Sequence, residues 1–448
     1  MSIGIIGAGI SGLTLAHALQ QQGIPYHLWE ANDRAGGYIG SAWEQGPDGQ
    51  AYLRELGPNS LLGDAALLTW LDGLGLTPEI VFSNEVSKHR YIYRNGQYRE
   101  LPGTPPALLL GSFFSLRTKL AALRELWNKT TSPPGETLGQ FFRRRFSLEV
   151  VDYALGPFVA GIYAGDPEQL LVAETFPSLL AYERDYSSIL RGLIKNQGKT
   201  ERKKSFSFRN GMQTLTDALA TSLTGLSLAD PVSQIERRAD GWLVTAPSGT
   251  VQVDQLVIAT NTEAAARLLD TLAPNLADAL RQINYPPMTA VHTVYKRADV
   301  SHPLDGFGGL NPKVEGRFAA GHIWSSSVFA GRCPDDEVLL TTFVGGQQSA
   351  DNARLSDEII GRRVHQELVD GFGIRAEGPV WQSVFRWARA IPQYDARLAA
   401  LRQQLDTLTV PNLIVCANWY GGVSLADCIG KARTLADKLA ATSPIKKF

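Results

Sequence analysis

The stretch Ile3-Gly-Ile-Ile6-Gly7-Ala-Gly9-Ile10-Ser11-Gly12-Leu-Thr-Leu-Ala-His-Ala-Leu19, continued through Gly23 to Tyr26-His-Leu-Trp29-Glu30, decides how the rest of the chain is read. Its apolar start predicts a buried strand. The glycines at 7, 9 and 12 then turn the chain into a helix with Leu13, Leu15, Ala16 and Leu19 facing inward. Gly23 stops that helix, and a second strand from Tyr26 to Trp29 ends at an acid. Each part has a task in a βαβ dinucleotide site. Gly7 makes the tight turn, Gly9 lets a pyrophosphate approach the backbone, and Gly12 lets helix and strand pack closely. The helix opening at Ile10 and Ser11 points its N-terminus at the phosphates. Glu30, 18 residues after the last glycine, accepts a bond from a ribose hydroxyl.

Working outward, Glu30-Ala31-Asn-Asp-Arg34-Ala-Gly36-Gly37 extends the second strand into a basic turn with paired glycines. An Arg at this spacing neutralises phosphate, and the glycine pair lets the chain pass close to a ring. Simple NAD dehydrogenases have no need of it. Two distant segments read as parts of the same layer. Phe208-Arg-Asn-Gly-Met212 precedes a helix from Leu215 to Leu223, and strands follow at Val232 to Ile235, Trp242 to Ala246 and Val251 to Thr260. Leu413-Ile-Val-Cys416-Ala-Asn418-Trp-Tyr-Gly421-Gly422-Val423-Ser424 then reads as a strand and glycine turn before a helix through Leu439, a second helix N-terminus to aim at a ring. The fold class is therefore α/β: a Rossmann-like domain assembled from residues 1–59, 206–265 and 395–448. Between its pieces lie a mainly helical insertion, 60–205, and a mixed α+β substrate-binding domain, 266–394, with strands at Val291 to Tyr295, Phe318 to Trp324 and Val338 to Val344.

Composition removes other classes. The 448 residues carry 43 Lys and Arg against 44 Asp and Glu, so the net charge of −1 excludes a nucleic-acid partner. A 44% hydrophobic content is enough for a large core. Cys333, Cys416 and Cys428 are odd in number without C-x-x-C spacing, and no histidines stand at H-x-x-x-H, so no metal site is predicted. Free thiols suit a reducing, cytoplasmic setting. A strand beginning at Ile3 leaves no room for a signal peptide. The uncharged stretch Leu101 to Leu116 holds three prolines and two glycines and falls short of the ~20 apolar residues of a membrane span. The run Lys195 to Lys204 reads as a solvated loop, with contact to an anionic surface as the second reading.

The run Glu30-x-x-x-Arg34-x-Gly36-Gly37 resembles that of the FAD-dependent amine oxidase superfamily. Gly156-Pro-Phe-Val-Ala-Gly161-Ile-Tyr-Ala-Gly165-Asp166-Pro167, with Glu55-Leu-Gly57-Pro58-Asn59-Ser60, Gly306-Phe-Gly-Gly-Leu310, Trp324-Ser-Ser-Ser-Val-Phe329, Thr341-Thr-Phe343-Val-Gly-Gly346 and Ala390-Ile-Pro-Gln-Tyr394, resembles the protoporphyrinogen oxidase family within it. The resemblance implies FAD, held by Gly7, Gly9, Ile10, Ser11, Gly12, Glu30, Ala31, Arg34, Gly36, Gly37, Gly57, Pro58, Asn59, Ser60, Val232, Asn418, Gly422, Val423 and Ser424. It implies a porphyrinogen substrate, with Arg90 pairing with a propionate, Leu310 and Ile323 sandwiching one pyrrole ring, Phe343 stacking on another and Gly161 leaving room for the macrocycle. Six electrons leave in three flavin cycles, with oxygen or another acceptor reoxidising the flavin. No catalytic side chain is expected, because the flavin takes the hydride itself.

Read without the resemblance, Arg90 is a surface charge beside a strand, and Leu310, Ile323 and Phe343 are core residues. The chain departs from the family pattern at Tyr38 (usually Arg), at Asp395-Ala-Arg (usually a Gly-His pair) and at Cys416-Ala417-Asn418 (usually Ala-Gly-Asn). Oxidation of coproporphyrinogen III, another flavoenzyme of amine-oxidase or carotenoid-desaturase type, and a non-catalytic flavin or porphyrin carrier stand as alternatives. Leu108 to Leu116, followed by Lys119, Arg124 and Lys129, reads either as a peripheral membrane contact, matching the family's membrane-binding insertion, or as a buried helix pair. Oligomeric state is not legible.

Overall fold

The strand Ile3–Ile6 lies at the centre of a parallel five-stranded sheet, between Tyr26–Trp29 on one side and Gln255–Ile258 on the other. Leu226–Ser227 and Leu413–Val415 form its edges. This computed structural model describes residues 1–104, 107, 110–196, 203–407 and 410–442. Alternation along the strands shows why the sheet needs cover on both faces. Ile3, Ile5, Leu28 and Val257 point into a core shared with helices Ile10–Gln21 and Leu425–Thr442. Ile6, Trp29, Leu256 and Ile258 point into a second core with Trp242 and Val244. Those two belong to an antiparallel ribbon, Gln234–Arg238, Gly241–Ala246 and Gly249–Val253.

A seven-stranded, mostly antiparallel sheet forms the other layer. Its order is Trp381–Trp387, Met288–Lys296, Glu337–Gly345, Gly321–Ile323, Gly308–Leu310, Tyr91–Arg94 and Gln97–Glu100. Helix Asp357–Phe372 covers one face, its Ile360, Val364 and Leu368 buried with Val291, Leu340 and Trp324.

Three expectations change. Val251 to Thr260 is two strands, not one. Ser2 O accepts the N–H groups of Asp254 and Gln255 at 3.0 and 3.2 Å, breaking the ladder where the chain leaves the ribbon for the parallel sheet. Of Phe318 to Trp324 only Gly321–Ile323 is strand, because Ala319 spends its N–H on Glu367 and its carbonyl on Asn311, each at 2.9 Å. The start of the stretch read as mainly helical carries strands Leu61–Gly63, Ile80–Phe82, Tyr91–Arg94 and Gln97–Glu100. The last two are a hairpin turned at Asn95 and Gly96, both left-handed with φ of 53° and 83°, as a tight two-residue turn demands. The basic run lies outside the described residues at 197–202; Lys195 and Asn196 close helix Ile189–Asn196, and Lys204 opens strand Lys204–Phe208. Among the described residues no helix is long and apolar enough to cross a membrane.

Candidate active site

The parallel strands deliver Gly7, Glu30, Thr260 and Asn418 to the carboxyl-terminal edge of their sheet, where open α/β sheets bind ligands. The three glycines of the first turn are needed for three different reasons. Gly7 has φ +105°; a Cβ on Gly12 would stand 2.0 Å from the Gly7 carbonyl oxygen; a Cβ on Gly9 would meet nothing within 4 Å, because it faces open space. Helix Ile10–Gln21 begins there with no side-chain cap and no acid in its first turn. Its free N–H groups, beginning at Ile10, Ser11 and Gly12, and its dipole suit an anion. Glu30 is buried; Oε2 accepts the Ala8 N–H at 2.8 Å, and Oε1 accepts Asn32 N–H and Nδ2 at 3.0 and 2.7 Å. A carboxylate oxygen takes two donors, so Oε2 retains capacity for a hydroxyl. Ala31 is exposed beside it. Half-buried Val232 lies close by, since Ala229 and Asp230 donate their N–H groups to the Asn32 and Glu30 carbonyls at 2.7 and 2.9 Å.

The basic turn closes over the first. Gly36 donates its N–H to Ala8 O at 2.8 Å, and a Cβ on Gly37 would be 3.2 Å from Gly9 Cα. The Arg34 guanidinium donates to the carbonyls of Ile39 and Gly37 at 2.8 and 3.0 Å, so much of its donor fork ties its own turn. Tyr38, where Arg is usual, donates its hydroxyl to Arg389 O at 2.9 Å. Gly57 packs backbone to backbone on this turn, a Cβ there falling 2.0 Å from Tyr38 O; Pro58, Asn59 and Ser60 continue half-buried. On the far side, Asn418 O accepts the Tyr394 hydroxyl at 2.7 Å, and Gly421 and Gly422 take φ of 76° and 106°. Val423 follows half-buried, and Ser424 Oγ caps the last helix through the Asp427 N–H at 3.1 Å. The departure at Asp395 has a local cause: its carboxylate caps helix Ala396–Asp406, accepting from Arg397 and Leu398 N–H at 2.9 and 3.2 Å.

The seven-stranded sheet brings the remaining residues together by register. Leu310 pairs with Gly321 and Gly321 with Phe343, while Ile323, two residues along, pairs with Thr341. Cross-strand partners share a face, so Leu310, Ile323 and Phe343 do. They are also the three residues that remain half-buried in strands otherwise wholly buried. Helix Gly156–Tyr163 crosses above, and a Cβ on Gly161 would stand 3.2 Å from Leu310 Cδ2. Arg90 precedes strand Tyr91–Arg94, with its guanidinium 4.7 Å from the Phe307 ring centre. Beside them opens a small cleft lined by Ala160, Ala164, Lys313, Arg317 and Gln348.

His292 pairs with Thr341, which places it in the row of Ile323 and on the face of Phe343. It is buried, and neither ring nitrogen has a partner in good hydrogen-bond geometry among the described residues. Burial, then the nearby Arg54 charge, outweighs the Glu55 carbonyl and pushes its pKa down to about 3. The imidazole is neutral at physiological pH. No local pattern marks it in the sequence, because only the register brings it to this face.

The profile of the flavin-containing amine oxidoreductases matches residues 10–440. Mitochondrial protoporphyrinogen oxidase from Nicotiana tabacum is 32% identical, covering 97% of this chain and 94% of its own. Protoporphyrinogen oxidase from Homo sapiens is 30% identical over 98% of both chains. The chain belongs to the protoporphyrinogen oxidase family of flavin-containing amine oxidoreductases. A crystal structure from Exiguobacterium sp. 255-15, provisionally named a protoporphyrinogen oxidase, superposes with a TM-score of 0.80 at 21% identity over 99% of both chains, and shows the same fold. The protein is an FAD-dependent oxidoreductase. The uncapped helix end, the carboxylate with a free acceptor site and the glycine turns with open space fit the phosphates, ribose and ring of that cofactor.

Proposed function

We propose that the enzyme oxidises protoporphyrinogen IX to protoporphyrin IX. The observation that carries this reading is the shared face of Leu310, Ile323 and Phe343: three apolar side chains reaching out of buried strands, with side-chain-free Gly161 above them. A flat apolar macrocycle needs such a slot. Residues 1–59, 206–265 and 395–448 hold FAD and 266–394 the substrate, with Arg90 binding a propionate through its planar fork. Flavin held there would supply the acceptor for hydride from a methylene bridge, and the conversion as a whole removes six electrons and six protons, with oxygen as the expected final acceptor. The pyrrole protons leave to solvent or backbone, without a side-chain base.

Two cations suit a substrate with two propionates better than coproporphyrinogen III with four. Arg317 is committed to Glu367 at 2.8 Å, which leaves Lys313, 3.9 Å from Asp166 and mostly exposed, as the cleft's second cation beside Arg90 in the proposed reading. The protein is cytoplasmic and binds the membrane surface through helix Leu116–Glu125, where Leu116, Leu120 and Leu123 are exposed in line with Trp127, and Lys119 and Arg124 flank them. Leu108 and Leu109 lie outside the described residues.

The test mixes oxidised holoprotein anaerobically with each porphyrinogen and follows the visible flavin band. Bleaching faster with protoporphyrinogen IX is expected; bleaching with neither overturns the reading. If His292→Asn abolished flavin reduction while substrate still bound, the reaction would have a side-chain base after all.

A further inference from the structure

Lys431 lies on the last helix, and its side chain runs back beneath the second glycine turn; a Cβ on Gly421 would stand 3.1 Å from Lys431 Cδ. Its ammonium donates to the carbonyls of Ala417, Tyr420 and Gly422 at 2.7, 2.5 and 3.0 Å. An ammonium has three hydrogens, and this one commits all three to a single turn. Buried Cys416, Ala417, Trp419 and Cys428 surround the base of that turn, so water cannot easily take the lysine's place. Burial pulls its proton affinity down; Cys428 and Cys416 oppose this more than Asp427 does, and Arg402 adds to the lowering. Three acceptor carbonyls call for all three hydrogens of the ammonium, so the geometry is that of the cation, and among the described residues no carboxylate forms an ion pair with it.

We propose that Lys431 is a positioning residue for the flavin, acting through the turn it holds. By drawing three carbonyl oxygens inward it turns the intervening amide N–H groups outward, and it keeps a cation behind the ring that rests on them. A ring that accepts a hydride gains one proton and two electrons, hence one negative charge, and the cation stabilises that form over the oxidised one. This rests on the placement of FAD against Asn418 to Ser424 given above.

The experiment compares wild-type, Lys431→Gln and Lys431→Arg holoproteins by anaerobic dithionite titration against a reference dye. Gln keeps hydrogen-bond donors without charge. Lys431→Gln is expected to hold reduced flavin tenfold less well relative to oxidised flavin, read as a midpoint potential about 30 mV more negative for a two-electron couple. Lys431→Arg should keep the wild-type potential. A Gln variant at wild-type potential, or Gln and Arg variants lowered alike, overturns the proposal. Should Lys431→Gln take up no flavin, the Arg variant decides: cofactor retained at wild-type potential supports it, and cofactor lost from both overturns it. Dithionite needs no porphyrinogen, so the outcome is separate from the substrate assignment.

Discussion

The edge of the parallel sheet and the face of the seven-stranded sheet build their candidate sites from different material. At the edge, the work falls on backbone: N–H groups at an uncapped helix end, and glycines whose missing Cβ lets one turn lie on another. On the face it falls on side chains, contributed by three strands and aligned by register. Backbone sites tolerate almost no added atom, whereas side-chain sites lose function by degrees. Substitutions therefore separate the two regions by the kind of loss as well as its size.

The largest effect is expected at Gly12. Its Cβ would meet a backbone oxygen at 2.0 Å, and neither helix nor strand can withdraw without opening the core around Leu13 and Leu15. Gly12→Ala should cost more than ~3 kcal/mol and yield colourless protein, checked by visible absorbance and thermal melting. A yellow, stable variant would show that the edge is less backbone-limited than the face.

His292 comes next, and here the face resembles an edge in having a group with no slack. With a folded pKa near 3 against 6.5 when unfolded, only the unfolded chain binds its proton between those values. Stability is therefore full above about pH 6.5 and falls with acid, by about 1.4 kcal/mol per pH unit, or ~2–3 kcal/mol by pH 4.5. His322, also pushed down to about 3 by burial, adds a similar slope. Urea titrations of wild type and His292→Asn from pH 4.5 to 7.5 isolate the first: the variant's slope should be shallower by one proton. Parallel slopes would mean that His292 is protonated in the folded protein.

The same contrast explains what could be read before the structure. Gly7, Gly9, Gly12 and Glu30 stand in one short stretch because a backbone site is local, so strand, turn and helix were legible there. The Asn95-Gly96 turn was equally legible, and overlooking it left the insertion too helical. Asp254 was not, since its strand break depends on Ser2, far away in sequence. Leu310, Ile323 and Phe343 looked like any core residues until the resemblance singled them out. Their half-burial comes from a register between strands, and no local pattern records that. His292 and Lys431 were missed for the same reason: each matters through what the fold places beside it.

Phe343 tests the face directly. Phe343→Ala removes an aromatic surface from a strand whose other residues stay buried, so FAD content should be unchanged while kcat/KM for protoporphyrinogen falls 10- to 30-fold, about 1.5–2 kcal/mol. Stopped-flow flavin reduction on matched holoprotein checks both. Loss of flavin would place Phe343 with the edge instead.

Gly161 should give the smallest effect, and the most discriminating one, because in the proposed function a glycine here serves the side-chain site. Its backbone is helical rather than left-handed, so Ala fits the chain without strain. The added methyl would stand 3.2 Å from Leu310 Cδ2, a flexible side-chain end that can give by a few tenths of an ångström. Gly161→Ala should thus leave folding and flavin content alone. The displaced Leu310 narrows the slot, raising KM about fivefold, ~1 kcal/mol, with kcat little changed. A larger side chain at the same place should deepen that loss in steps, unlike the all-or-none result at Gly12. If Gly161→Ala instead lost FAD or melted early, the helix above Leu310 would be part of the cofactor scaffold, and the slot would have to be sought on another part of the sheet.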